Sequence, residues 1–171
     1  MQKKYSKYSS VVNKRAIGRS TLILFAIFVV ALALRLIQLD RTPLGFHVDE
    51  VNAGYIGRYI LLHGKDFFGN VLPLFFNKFG DYRPTGIFYL AGVSTFLFGV
   101  NEFAVRFPSA LFGALTIIPL YLLGLVITGS KKVGYAAAVF LALLPWHTVL
   151  SRATSESIVG LFLVCFGLWF L

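Results

Sequence analysis

The sequence predicts an all-α protein, a polytopic transmembrane helical bundle of about four spans, with two juxtamembrane helices in the first outer loop. Three observations lead there. Hydrophobic residues make up 57% of the 171 and charged residues only 13%, whereas soluble domains carry roughly a quarter charged. Mean hydropathy is +0.77. Thr21 to Leu39 is almost unbroken hydrocarbon and long enough to cross a bilayer as a helix. Together they exclude a nucleic-acid-binding reading of the +9 net charge.

Residues 1–20 form a basic tail. Six of the sixteen basic residues (Lys3, Lys4, Lys7, Lys14, Arg15, Arg19) precede residue 20 with no acid among them, which places the N-terminus in the cytoplasm. A cleaved signal peptide has a shorter apolar core and a small-residue cleavage site, and Arg35-Leu-Ile-Gln-Leu-Asp40 offers none. Residues 21–39 are therefore the first transmembrane helix, and residues 40–102 lie outside. That loop contains the mixed-charge stretch 40–86, with five bases and five of the chain's seven acids. Its first helix is read from the stripe Val51, Tyr55, Tyr59 and Leu62, opened by an acid and ended at Gly64. It is expected to lie along the membrane surface.

Thr85 to Gly99 is apolar but short for a span. If it crossed, the next run, Phe103 to Thr128, would cross back and leave Lys131-Lys132 outside. Read as a second surface or re-entrant helix, it lets Phe103 to Thr128 run inward and puts the lysine pair in the cytoplasm. Residues 103–171 then hold transmembrane helices 2 to 4: Phe103 to Thr128, Val133 to Leu150 with Trp146 at an interface, and Glu156 to Leu171. The last run has no flanking charge, so the chain is expected to be the N-terminal part of a larger protein. Cys165 is the single cysteine and sits in an apolar run, which leaves neither a disulfide framework nor a thiolate metal site.

On this topology Arg35, Arg106, Arg152 and Glu156 all fall near the outer ends of their helices, on the side that holds Asp49, Glu50, Asp81 and Arg83. Ionisable groups near a bilayer need a polar cavity or a partner, so one outward-facing polar site close to the lipid headgroups is the economical reading. In Thr42-Pro-Leu-Gly-Phe-His-Val-Asp-Glu50 a loop leads to two adjacent acids at a helix start. A carboxylate there suits a general base, although acids also favour a first helical turn for electrostatic reasons alone. Adjacent helical residues diverge by about 100°, so at most one of Asp49 and Glu50 is the base and the other binds, caps or orients. Arg106, in Glu102-Phe-Ala-Val-Arg-Phe-Pro-Ser109, either holds a phosphate oxygen or snorkels to the headgroups. Asp81-Tyr-Arg-Pro84 joins charge to a proline-led helix and, taken alone, reads as a cap. Ser151-Arg152 to Glu156 has the spacing of a same-face salt bridge. His47, His63 and His147 show no ligand spacing, and no metal is assigned.

These residues, in this order, resemble the dolichyl-phosphate-mannose-protein mannosyltransferase family (glycosyltransferase family 39) and its bacterial relatives, including the lipid A aminoarabinose transferases. The likeness runs from about residue 20 to the end and is sharpest over His47 to Tyr55 and Asn101 to Ala110. It implies a GT-C fold and an enzyme of the cell membrane that takes a sugar from a polyprenyl-phosphate carrier and passes it, with inversion, to a protein, glycan or lipid acceptor on the outer face. Asp49 then matches the family's catalytic acid, the general base, and Glu50 the second acid, assisting or holding the acceptor. Arg106 matches the arginine of an Arg-Pro-Ser-like stretch, a partner for carrier phosphate. Arg83, with Asp81 beside it, lies near the family's Lys-Pro or Arg-Pro element and would bind substrate likewise. Many bacterial relatives carry Lys-Pro-Pro where Arg83-Pro84-Thr85 stands here. No cofactor is implied, a divalent metal is left open, and a piece of this length would be inactive alone.

The chemistry fits independently: a phosphate leaving group needs cationic stabilisation and no proton, while a hydroxyl acceptor needs a base. No nucleotide-binding glycine loop is present. A fragment of a transporter or flippase is the competing reading, with Arg106 and the outer acids lining a path. Transporter sites gather near the bilayer midplane, whereas these charges sit at the outer edge. A non-catalytic membrane subunit is the third.

Overall fold

The computed structural model describes residues 14–78 and 80–171. In chain order they form α1 (Lys14–Leu36), α2 (Val48–His63), a hairpin of β1 (Phe75–Lys78) and β2 (Asp81–Pro84), α3 (Gly86–Phe98), α4 (Glu102–Leu115), α5 (Ile117–Thr128), α6 (Lys131–Leu143), α7 (Pro145–Ser151) and α8 (Glu156–Phe170). Of the basic tail read over residues 1–20, residues 1–13 lie outside the described residues.

Helix dominates, as the sequence reading expects. α4 and α5 run on as one apolar helix, Glu102–Thr128, of mean hydropathy 2.4, about 40 Å long at 1.5 Å per residue. Among the described residues it is the one continuous helix long and apolar enough to cross a membrane. α6 and α7 qualify only as a pair bent by 58°, where the sequence reading has a single run. The bend has a covalent cause: Pro145 lacks an N–H and crowds the preceding turn, and Leu144 before it is driven to extended backbone (φ −62°, ψ 113°). α1 ends at Leu36 rather than Leu39, because the chain turns through Gln38 (φ 52°), whose carbonyl accepts from the Arg41 and Thr42 amides.

α3 is 13 residues, about 20 Å, well short of a hydrocarbon core of about 30 Å. It lies against α2 so closely that the two backbones touch. A Cβ at Gly57 would collide with the Phe88 carbonyl oxygen, and one at Gly92 would stand 2.5 Å from that of Gly57. α2 buries Ala53, Ile56 and Ile60 against Phe76, Ile87, Phe88 and Ala91. The stripe that marks this helix in the sequence faces the other way: Tyr55 and Leu62 are 67% and 57% exposed. Gly64 ends α2 in the left-handed region (φ 69°) with its N–H on the Ile60 carbonyl.

The hairpin is a departure from the all-helical expectation for this loop. β1 and β2 pair antiparallel with Phe76 opposite Arg83 and Asn77 opposite Tyr82. Four-residue strands are too short to register as periodicity in a sequence. The pairing sends Phe76 into the core (5% exposed) and turns Asp81 and Arg83, two residues apart, to one face.

Two arginines close the gaps in the helical ladder. Arg35, fully buried, donates to the Leu141 and Ala142 carbonyls freed by the Pro145 break, to Ser151 Oγ (3.0 Å) and to His147 Nδ1 (2.9 Å). Arg152 donates to the carbonyls of Leu34, Ile37 and Thr42 at 2.8, 2.8 and 3.1 Å around the end of α1. The same-face Arg152–Glu156 bridge suggested by spacing does not form, because helix stops between them: Arg152 serves these carbonyls and Glu156 opens α8.

Replacing Gly57 with Ala is expected to destabilise the fold by about 1–3 kcal/mol through overpacking against Phe88. Gly167→Ala, with open space around it, should be neutral or mildly stabilising. Thermal unfolding of the two variants in detergent checks this; equal midpoints would show that the α2–α3 contact is not tight.

Candidate active site

The acids of the first loop separate as soon as α2 begins. His47 caps the helix, its Nδ1 accepting the Asp49 amide (3.3 Å) while its own N–H donates to Glu50 Oε2 (3.0 Å). Glu50 then points inward at 4% exposure and Asp49 outward, with 37% of its side chain exposed.

Glu50 meets Arg106 in a two-pronged ion pair, Nε to Oε1 at 2.9 Å and an Nη to Oε2 at 3.0 Å. Arg106 is fully buried, and its remaining donors reach the Leu39 carbonyl (3.1 Å) and the Gly45 carbonyl (2.7 Å), with Glu102 at 3.8 Å. Glu50 Oε1 also accepts the Thr154 amide (3.2 Å). Burial alone would raise the Glu50 pKa, but the hydrogen bonds from Arg106, His47 and Thr154 together hold it below the ordinary 4.5. The Arg106 guanidinium that sequence reasoning offers to a carrier phosphate is thus already matched within the chain, and so is Glu50. They act as a clamp joining α2, α4 and the segment between α7 and α8.

Asp49 faces a small cleft that is open to solvent. Its lining comes from four places in the chain: Asp49, Asn52 and Ala53 from α2, Arg83 from β2, Ile87 and Phe88 from α3, and Thr154 and Glu156 from the start of the last segment. Arg83 stands among three carboxylates, Asp81 at 2.8 Å, Glu156 at 3.4 Å and Asp49 at 3.9 Å. The Asp81 hydrogen bond, then attraction from Asp49, push its pKa above the usual arginine value. His47 Nδ1 lies 3.6 Å from the Asp49 carboxylate. Asp49, Arg83 and Asp81 of the sequence candidates therefore meet here, while Glu50 and Arg106 sit behind the wall. Asn52 and Thr154 are not among the sequence candidates, and Glu156 is, as one of the outer charges, with Arg152 rather than Arg83 as its expected partner. The signals for them are spacing and rarity: Asn52 is one helical turn after Asp49, and Glu156 is a lone acid opening an apolar helix.

The model of the dolichyl-phosphate-mannose-protein mannosyltransferase family matches residues 82–171, more than half of the chain. The chain belongs to that family. No curated protein and no solved structure matches it. Membership makes this a membrane-integral glycosyltransferase of the GT-C type, as the resemblance of the sequence implies. The matched stretch of the mannosyltransferase model includes Arg83, Arg106, Thr154 and Glu156, and Asp49, Glu50 and Asn52 precede it. Among the described residues no group of three or more His, Cys, Asp and Glu is placed to hold a metal ion.

Removing one half of the buried clamp strands the other charge, so Arg106→Ala is expected to cost about 3–5 kcal/mol and to show as lost thermal stability. A variant that unfolds like wild type would return Arg106 to the list of ligand-binding groups. Because the Glu50 pKa is lowered on folding, its contribution is complete above the unfolded value near 4.5 and falls away as pH drops through the folded one. Glu50→Gln should flatten that part of the acid-unfolding profile.

Proposed function

We infer that the cleft is the reaction centre of an inverting glycosyltransferase that moves a sugar from a polyprenyl-phosphate carrier to a hydroxyl acceptor on the outer face of the membrane. The observation that carries this reading is the presence of the Asp49 carboxylate and the Arg83 guanidinium, 3.9 Å apart, in one open cleft. They supply the two things the reaction needs. The acceptor oxygen attacks the anomeric carbon and loses its proton to Asp49. The bond from that carbon to the carrier phosphate oxygen breaks on the opposite face, and its electron pair leaves with the phosphate. The phosphate departs with one more negative charge and no proton, and Arg83 stabilises that charge. Glu156 and Asp81 hold the guanidinium in place until phosphate takes over its donors.

The family description names a dolichyl-phosphate-mannose donor and a protein acceptor. For this chain we take a polyprenyl-phosphate sugar as donor and leave protein, glycan and lipid as acceptor classes. A site at the outer ends of the spans suits a lipid-borne donor, since cytosolic nucleotide sugars do not reach that face. The opposite end supports this orientation. Lys131 Nζ donates to Ser20 Oγ (3.1 Å) and the Tyr135 hydroxyl to the Ser20 carbonyl (3.4 Å), so α6 starts beside the part of α1 that follows the basic tail.

Asp49→Asn should lower sugar transfer in membranes by about 10²–10⁴-fold without loss of inserted protein, measured with radiolabelled polyprenyl-phosphate mannose; unchanged turnover would remove Asp49 as base. Arg83→Ala should raise the apparent KM for the donor by about tenfold or more. A Lys131→Cys variant should react with an impermeant thiol reagent only from the cytoplasmic side, and labelling from outside would make Thr85 to Gly99 a true span.

A further inference from the structure

Of the polar side chains that line the cleft, most already have partners. The Thr154 hydroxyl donates to the Val105 carbonyl (3.2 Å), Arg83 is shared among three carboxylates, and Glu156 is one of them. Asn52 differs: half-buried in the wall, its carboxamide makes no hydrogen bond among the described residues. An amide offers both donors and an acceptor, and at the half-buried rim of an open cleft those groups are uncommitted within the described residues and free to exchange solvent for a ligand hydroxyl.

We propose that Asn52 binds a hydroxyl group of the transferred sugar, and so sets which sugar the cleft accepts; this rests on the glycosyltransferase reading above. The placement follows from covalent connectivity. The sugar is joined to carrier phosphate through its anomeric oxygen, so a phosphate on Arg83 brings the ring into the same cleft. There the remaining wall is Asn52 with Ala53, Ile87 and Phe88. A carboxamide beside an apolar floor matches a pyranose, which has hydroxyls at its edge and C–H groups on its faces. Asn52 follows Asp49 by three residues on α2, so the two side chains share a face about 5–6 Å apart at Cβ. A group that grips the sugar there holds the anomeric carbon within reach of an acceptor activated by Asp49. The carboxamide is neutral and does not compete with Arg83 for phosphate.

The test is equilibrium binding to the full chain in lipid nanodiscs, with polyprenyl-phosphate mannose, its monodeoxy counterparts and sugar-free polyprenyl phosphate as probes. Asn52→Ala should weaken mannose-donor binding by about tenfold and leave sugar-free polyprenyl phosphate unaffected. One monodeoxy donor should bind wild type and variant equally. Asn52→Asp, which keeps an acceptor, should fall between them. The proposal is overturned if Asn52→Ala binds every probe as wild type does, if it weakens the sugar-free carrier by the same factor, or if folded wild type binds no donor. Turnover of Asp49→Asn, measured separately, reports on the base; a hydroxyl-specific binding loss with an active Asp49→Asn would keep this contact and discard that base.

Discussion

Everything around the cleft hangs on a single buried ion pair, Glu50 with Arg106. An arginine with no solvent contact near the start of an apolar helix demands a matched anion, and the chain meets that demand with an acid from a different helix. The match is complete to the level of individual atoms: both Glu50 oxygens accept from Arg106, and the same oxygens accept the His47 and Thr154 amides. One carboxylate thereby fixes the cap of α2, the outer part of α4 and the strand-like link into α8. Asp49 and Glu156, which face the cleft, are each a residue or two from those anchor points.

Arg35, buried, and Arg152, half-exposed, serve carbonyls in place of a carboxylate. In hydrocarbon a broken helix exposes acceptors that water cannot reach, and a guanidinium with five donors covers several at once. The Pro145 break and the end of α1 are each closed in this way. The chain thus spends Arg35, Arg106 and Arg152 on backbone carbonyls and on one ion pair, and Arg83 is the arginine that lines the cleft.

Much of this was legible in the sequence. Composition and hydropathy gave the predominantly helical architecture, and the divergence of adjacent helical residues separated Asp49 from Glu50. What periodicity does not carry is pairing between distant residues. Nothing within five residues of Arg106 says that its anion is Glu50 rather than a phosphate, and Glu156 sits at a tempting distance from Arg152 while its partner is 73 positions away. The hairpin escaped for a different reason: its strands are shorter than the window in which alternation can be recognised. The stripe on α2 was correct as a pattern, and its opposite face carries the glycines and small side chains that permit close packing.

The meeting of backbones at Gly57 and Gly92 gives the cleft uneven walls. Because α2 and α3 are in direct main-chain contact, the spacing from Asp49 and Asn52 to Ile87 and Phe88 is a rigid dimension of the fold. The Arg83 and Glu156 side chains reach the cleft from other elements, and the ion pairs they make there rotate and exchange at little cost. A visiting molecule therefore finds its apolar contacts set in advance and its charged contacts adjustable, so the site resembles a vice with one fixed jaw.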